Sequence, residues 1–245
     1  MNIITVDGNN YLKEKFLLEK GINLDLLKLF KNTNCYVAGG AITSIFSGNK
    51  INDYDIYFCT EFDYRDFIIK LPTNSKLEWQ TENAKSYKID KETFQFICKP
   101  SYMGSPGEVL TSFDFTICMG AYSFKEDKFY FYDNFFRNLA CKELIFNIKA
   151  SFPISSLFRL RKFLKKEYKI SGCEIIKLGL SIEKLKIDTY VKLIEQLMGI
   201  DIAFLKDLID TMNTCEFNNK TYDFDEFLKM IDVHILNNYS KVFEE

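Results

Sequence analysis

The 245-residue sequence has one tryptophan, one histidine and four prolines. Each scarcity excludes something. With His234 as the only histidine and no cysteine pair at CxxC spacing, there is no donor set for a zinc site, which draws its ligands mainly from those two residue types. The seven cysteines (Cys35, Cys59, Cys98, Cys118, Cys141, Cys173 and Cys215) are odd in number and scattered. Cys59, Cys98 and Cys118 fall inside apolar, strand-like runs. The set reads as free, mostly buried thiols in a reducing cytoplasm. No apolar run approaches the ~18 residues needed to cross a bilayer, and MNIITVDGNNYLKEKF holds no apolar signal core. A cytoplasmic protein with no membrane partner is expected. Strong charge of either sign is also missing: 32 basic against 34 acidic residues give a net charge of -2. Any basic surface for nucleic acid must therefore be local.

What is present is a large apolar fraction, 47%, with 24 Phe and 14 Tyr. That suffices for a sizeable core. The character of the chain changes near residue 150. Before it, short strand-like runs alternate with turns: helix 24–32, strand 34–38, helix 41–46, strand 53–59 and helix 61–71. A hairpin from KLEWQT and KSYKI follows, then strand 93–99, a Pro/Gly loop over 100–112, and strands 113–119 and 128–133. After residue 150 nearly everything has helical periodicity. Ser151 and Pro153 open a helix with Ile154, Leu157, Leu160 and Leu164 on one face. Gly172, Gly179, Gly199 and Asn213 mark expected breaks between further helices. The fold class is α+β: a mixed-sheet domain over 1–150, then a small all-helical domain over 151–245.

The chemistry concentrates in YVAGGAITSIFSGNKINDYDIYF, residues 36–58. On a strand, residues i and i+2 point the same way. Asp53 and Asp55 therefore share one face, while Tyr54 and Ile56 turn to a core. Two carboxylates held about 6–7 Å apart repel each other, and a divalent cation relieves that repulsion. Asp114, between Phe113 and Phe115, supplies a third acid if its run lies beside the first. The three together would hold two Mg²⁺ ions and place an attacking hydroxyl against an α-phosphate. Gly39-Gly40, between a strand and a helix start, lets phosphate approach the backbone, and Ser44 adds a hydroxyl one turn on. Each feature alone has a plainer reading, as a tight turn, a solvated edge or an exposed strand position. Their order along the chain favours the catalytic one.

The same residues resemble the nucleotidyltransferase superfamily of DNA polymerase β-like fold. Within it they are nearest the poly(A) polymerase and tRNA CCA-adding branch. That branch carries GGxVRD, DIDI, RRDFTINA and a DPLRxLRAxRF helix; this chain offers GGAITS, DYDI, SFDFTICMGA and FPISSLFRLRKFLKK. Thr43-Ser44 stand where the branch has Arg-Asp, and Ser112-Phe113 where it has an arginine pair. The EDxxR base-selecting signature has no match. The resemblance implies transfer of NMP from an NTP to a hydroxyl acceptor, with Asp53, Asp55 and Asp114 as catalytic and metal residues. It implies Gly39, Gly40, Ser44, Arg159 and Arg161 on the nucleotide, Arg159 and Arg161 through the helix motif alone. It also suggests RNA as a partner, read by the helical domain and ending in the acceptor 3′ hydroxyl, though the acceptor could equally be a protein side chain or a small molecule. The basic residues Lys162, Lys165, Lys166 and Lys169 would suit a nucleic-acid backbone or an ordinary solvated face. The loop with Gly104 and Gly107 could close over nucleotide. Two rivals stay open: a fold-only protein that binds without transferring, and a toxin-like enzyme that modifies tRNA or protein.

Overall fold

The computed structural model describes residues 2–197, 205–218 and 220–237. The chain divides into two compact units, 1–150 and 151–245. The first is built on an eight-stranded mixed sheet. Its strands are β1 (Ile3–Asp7), β2 (Cys35–Ala38), β3 (Tyr54–Phe58), β4 (Lys76–Gln80), β5 (Ala84–Ile89), β6 (Glu92–Ile97), β7 (Gly120–Ser123) and β8 (Lys128–Tyr132). Across the sheet they run β1-β8-β7-β2-β3-β6-β5-β4. The β3–β6 pair is parallel and the other pairs are antiparallel. Helices α1 (Leu12–Glu19), α2 (Leu24–Asn32), α3 (Gly40–Phe46), α4 (Glu61–Ile69), α5 (Pro106–Leu110) and α6 (Phe135–Cys141) complete the unit.

Alternation on the strands creates two unlike faces. On one, Val37, Ile56, Phe58, Phe94, Phe96, Phe129 and Phe131 are almost fully buried. Aromatic rings from the helices close over them. Phe30 of α2 packs on Phe67, Phe94 and Phe124 with centroids 5.2, 6.1 and 4.8 Å away. Phe46 of α3 meets Phe129 and Phe131 edge-on. Such contacts bury 150–250 Å² per ring and account for the abundance of Phe. The other face is covered within this unit by the five-residue α5, whose Val109 and Leu110 pack with Tyr36, Ala38, Met119 and Ala121. The half-buried acids are on this thinly covered side.

The first strand and α1 escaped the sequence reading, although IITVD is a β-branched run. Residues 106–110 are a helix within the expected loop. Ser105 and Glu108 form a reciprocal capping box with Pro106 at the first turn, which starts a helix despite the local Pro and Gly content. The stretch 113–119 is not the expected strand. The Asp114 carboxylate accepts the neighbouring Phe115 N–H at 2.8 Å, and a 3-10 turn, Thr116–Cys118, follows. A local side-chain bond of this kind competes with a ladder; here pairing is reduced to a single antiparallel bridge, Phe115 with Phe146, and the sheet strand begins only at Gly120.

The second unit contains α7 (Pro153–Leu164), α8 (Gly172–Glu183), α9 (Tyr190–Gln196), α10 (Lys206–Phe217) and α11 (Phe224–Asn237). Tyr190, Leu193, Leu197, Leu205, Leu208, Met212 and Cys215 form its buried cluster. Ser155 donates to the Gln196 carbonyl at 2.5 Å and Gln196 to that of Ser151 at 3.1 Å, joining α7 to α9. Phe152, not Ser151, is the capping residue of α7, with no side-chain bond. On that helix Ser155 and Ser156 are buried while Leu157 and Leu164 are exposed, so the expected apolar stripe is not its inner face. Gly172 begins α8, but Gly179 lies inside it and Asn213 inside α10. Their low helix propensity, at most about 1 kcal/mol, is overridden by the surrounding periodicity. The expected break at Gly199 lies outside the described residues. No described helix is long and apolar enough to cross a membrane.

Candidate functional site

The site grows from the β2–α3 bend. Gly39 caps α3 with φ 74° and ψ -125°, a conformation that side chains with a Cβ rarely adopt. Its N–H donates to the Gly120 carbonyl at 3.0 Å, which fixes the bend against the start of β7. Gly120 is required there for space: a Cβ on it would lie 2.7 Å from Ile42 Cγ2. Thr43 is buried, and its hydroxyl is within bonding distance of the Ile117 carbonyl at 2.7 Å and the Gly39 carbonyl at 3.1 Å. It is a tie between α3 and the 3-10 turn. Gly40 is exposed, with nothing within 4 Å of where its Cβ would be. Ser44, four residues on and half-buried, shares the helix face of Gly40.

Asp55 is the register partner of Ala38, the residue before Gly39. Asp53 immediately precedes β3, and the burial pattern of Tyr54–Phe58 alternates strictly. Tyr54 and Ile56 are buried and Asp53, Asp55 and Tyr57 half-buried. The structure thus brings Asp53 and Asp55 to one face beside the glycine bend. On the parallel neighbour β6, Gln95 is in register with Asp55 and donates its Nε2 to Asp53 Oδ2 at 3.1 Å.

Asp114 is buried at 6% exposure in the bend before the 3-10 turn, not on a strand next to β3. Asn147 clamps this bend: its Nδ2 donates to the carbonyls of Thr111 and Phe113 at 2.7 and 2.8 Å, and its N–H to that of Asp114 at 2.7 Å. Among the described residues, no three His, Cys, Asp or Glu side chains gather closely enough to hold a metal ion. The strand position expected for Asp114, beside that of Asp53 and Asp55, is therefore not the one it holds. The pair Asp53 and Asp55 fits a Mg²⁺ ion, which commonly takes one or two carboxylates and completes its shell from water and phosphate.

Phe113, where the resemblance has arginine, forms a wall instead. Its ring is 5.6 Å from that of Tyr57 and its Cε2 would be 3.3 Å from a Cβ on Gly39. Tyr57 also stacks on Tyr36 at 5.8 Å. Burial pushes the Tyr36 phenol far above its ordinary range, and it donates to the Gly104 carbonyl at 3.2 Å. Gly104 in turn donates its N–H to the Phe58 carbonyl at 3.3 Å, so the loop that could have closed over nucleotide is tied down at that point. On α7, Arg159 is half-buried with its guanidinium carbon 6.0 Å from the Phe163 ring centroid, and Arg161 is exposed. Lys162, Lys165, Lys166 and Lys169 are exposed.

Gln95 and Asn147 were not among the residues singled out from sequence. Gln95 carried a usable signal. It stands between Phe94 and Phe96, the same apolar–polar–apolar pattern that drew attention to Asp114. Asn147 had none, because its role depends on a carbonyl cluster formed from distant residues.

Comparison with known proteins gives concordant results. A model of the family described as "Gad2: Gabija anti-defense 2 family protein" matches residues 9–142, more than half of the 245. A curated relative named "Gabija anti-defense 2", from Bacillus phage SPbetaL7, is 33% identical over 192 residues, 78% of this chain and 48% of the relative. Among solved structures, a CCA-adding enzyme with ATP superposes with a TM-score of 0.57 at 18% identity, covering 100% of this chain and 63% of that one. A Thermotoga maritima CCA-adding enzyme complexed with tRNA does so with a TM-score of 0.51 at 17% identity, again covering 100% and 63%. The mixed sheet with its helical second part is thus the nucleotidyltransferase fold of the CCA-adding enzymes. The chain spans about half the length of the curated relative and under two thirds of these structures.

Proposed function

Because the chain belongs to the Gabija anti-defense 2 family, we propose that it is a Mg²⁺-dependent nucleotidyltransferase whose reaction counters Gabija defence inside a phage-infected cell. One observation carries the reading: the Ala38–Asp55 register, which puts the paired aspartates beside the Gly39-Gly40 bend. An acceptor hydroxyl attacks the α-phosphorus of an NTP, a new O–P bond forms, and the bond to the β-phosphate oxygen breaks. Pyrophosphate leaves and the hydroxyl proton is lost. Asp53 and Asp55 would hold Mg²⁺, which when bound supplies positive charge to the phosphate oxygens. The open space over Gly40 admits phosphate to the backbone, and Ser44 lends a hydroxyl on the same helix face. Asp114 is assigned to the sugar side of the nucleotide. The roles of Arg159 and Arg161 rest on the resemblance of their helix. The first candidate acceptor is an RNA 3′ end, in keeping with the tRNA-bound neighbour.

A second reading is favoured by Phe113, which replaces cationic side chains with an apolar wall. The protein would then bind nucleotide or RNA without transferring. The deciding experiment incubates the protein with Mg²⁺ and each α-labelled NTP over total RNA and total protein. Wild type is compared with Asp53→Asn/Asp55→Asn. Label incorporated by wild type and lost in the double variant supports transfer, and the labelled fraction identifies the acceptor class. Equal label in both, or in neither, favours the binding reading.

A further inference from the structure

The thinly covered face of the sheet carries a continuous cross-strand row. Asp55 on β3 is in register with Gln95 on β6, Gln95 with Ser86 on β5, and Ser86 with Trp79 on β4. Directly paired residues share a face, so an acid, an amide and a hydroxyl succeed one another inside an otherwise aromatic sheet. Gln95 touches the acids twice: it is the lateral neighbour of Asp55, and its Nε2 donates to Asp53 Oδ2 at 3.1 Å. Ser86 on its far side is fully buried, and its hydroxyl has no hydrogen-bond partner among the described residues. Buried polar groups are otherwise nearly always satisfied. A row of this kind, with an acid at one end and an unsatisfied buried hydroxyl within it, is poor sheet packing. It is intelligible as the support of a site.

We propose that Gln95 is a positioning residue of the metal site: its amide orients Asp53 and fills the third corner with a neutral group, so that two carboxylates hold one divalent cation in the absence of nucleotide. This rests on the metal-dependent reading above. An amide offers both a donor and an acceptor. The donor end is committed to Asp53. A carboxylate in the place of Gln95 would raise the local charge from two negatives to three and recruit a further cation. The amide keeps the charge at two, matched by a single Mg²⁺ whose remaining shell is water and phosphate. Hydrogen bonds to ligating carboxylates commonly govern metal affinity by 10–100-fold, which sets the size of the expected effect.

The test uses Mn²⁺ as the probe, on the full chain without nucleotide, with calorimetry for affinity and the electron paramagnetic resonance of free Mn²⁺ for stoichiometry. Wild type should take up one Mn²⁺. Gln95→Leu, which removes the donor at similar size, should weaken binding by about tenfold. Gln95→Glu should tighten it by about tenfold and admit a second ion, a gain that a merely structural role would not produce. Two ions on wild type, or unchanged affinity in Gln95→Leu, overturns the proposal. So does unchanged affinity in a Gln95→Glu that folds, as judged by Trp79 emission and circular dichroism. Should Gln95→Glu not fold, Gln95→Leu decides alone. The underlying reading fails separately: no Mn²⁺ bound by wild type, or binding untouched by Asp53→Asn/Asp55→Asn, removes the metal site itself.

Discussion

Adding one methyl group at each glycine of the bend separates backbone geometry from ligand approach. Gly39 has φ 74° and ψ -125°. An alanine held there is strained by about 1–3 kcal/mol. Its Cβ would also come within 3.3 Å of Phe113 Cε2, so the ring must shift. Gly40, one residue on, carries no positive φ, and its Cβ would meet nothing within 4 Å. Alanine in a helix is favoured over glycine by roughly 0.5–1 kcal/mol, so Gly40→Ala should leave stability unchanged or raise it slightly. At roughly 2–4 °C per kcal/mol for a chain of this size, a 2 kcal/mol loss in Gly39→Ala lowers the melting temperature by about 6 °C. Urea and thermal melts followed through Trp79, the only tryptophan and a resident of the first unit, report the change directly. Nucleotide supplies the second arm. If phosphate lies over Gly40, the alanine should reduce Mg²⁺-NTP stabilisation of the protein while the nucleotide-free melt stays the same. Equal stability losses in the two variants, or none in Gly39→Ala, would refute the conformational argument. NTP stabilisation unaltered by Gly40→Ala would refute the phosphate placement.

Three further outcomes test the fold around the site. Thr43→Val removes a buried hydroxyl shared with the Gly39 and Ile117 carbonyls and should cost about 1–3 kcal/mol in urea melts; a neutral result would mean that this tie contributes nothing. Gly179→Ala, inside α8 with open space around it, should stabilise the second unit by up to about 1 kcal/mol, read by helical ellipticity on heating. The third concerns pH. Burial draws the Asp127 carboxyl upward, but hydrogen bonds from Lys15 at 2.6 Å and Tyr122 at 2.7 Å outweigh it and hold the group below the usual range. A depressed folded pKa contributes stability above the unfolded value of about 3.9, lost as pH falls through the folded one. Asp127→Asn should therefore be less stable than wild type at about pH 7, by under about 1 kcal/mol because the Asp127 side chain is 40% exposed. The gap should narrow as pH falls below about 3.9; a gap that does not narrow there would contradict the assignment.

Legibility from sequence followed the range of the interactions involved. The segments 24–32, 34–38, 53–59 and 61–71 were readable because each declares itself by its own periodicity, and the structure has α2, β2, β3 and α4 there. The pair Asp53 and Asp55 was readable for the same reason, since i and i+2 on one strand share a face whatever surrounds them. The reading of 113–119 failed because alternation in FDFTICM is also compatible with a bend once Asp114 accepts a neighbouring N–H. The helix at 106–110 was present in the S-x-x-E spacing of Ser105 and Glu108 but masked by its glycine and proline.

The sequence by itself determined the strand–Gly-Gly–helix–DxD order, the common face of the two aspartates, and the change to helices near residue 150, because all three depend on local geometry or composition. Tertiary structure alone decided which residues stand beside the acids. Parallel pairing of β3 with β6 brought Gln95 beside the acids, and a carbonyl cluster around Asn147 held Asp114 in a bend. Strand order and register arise from the packing of distant segments, and no single segment encodes its neighbour.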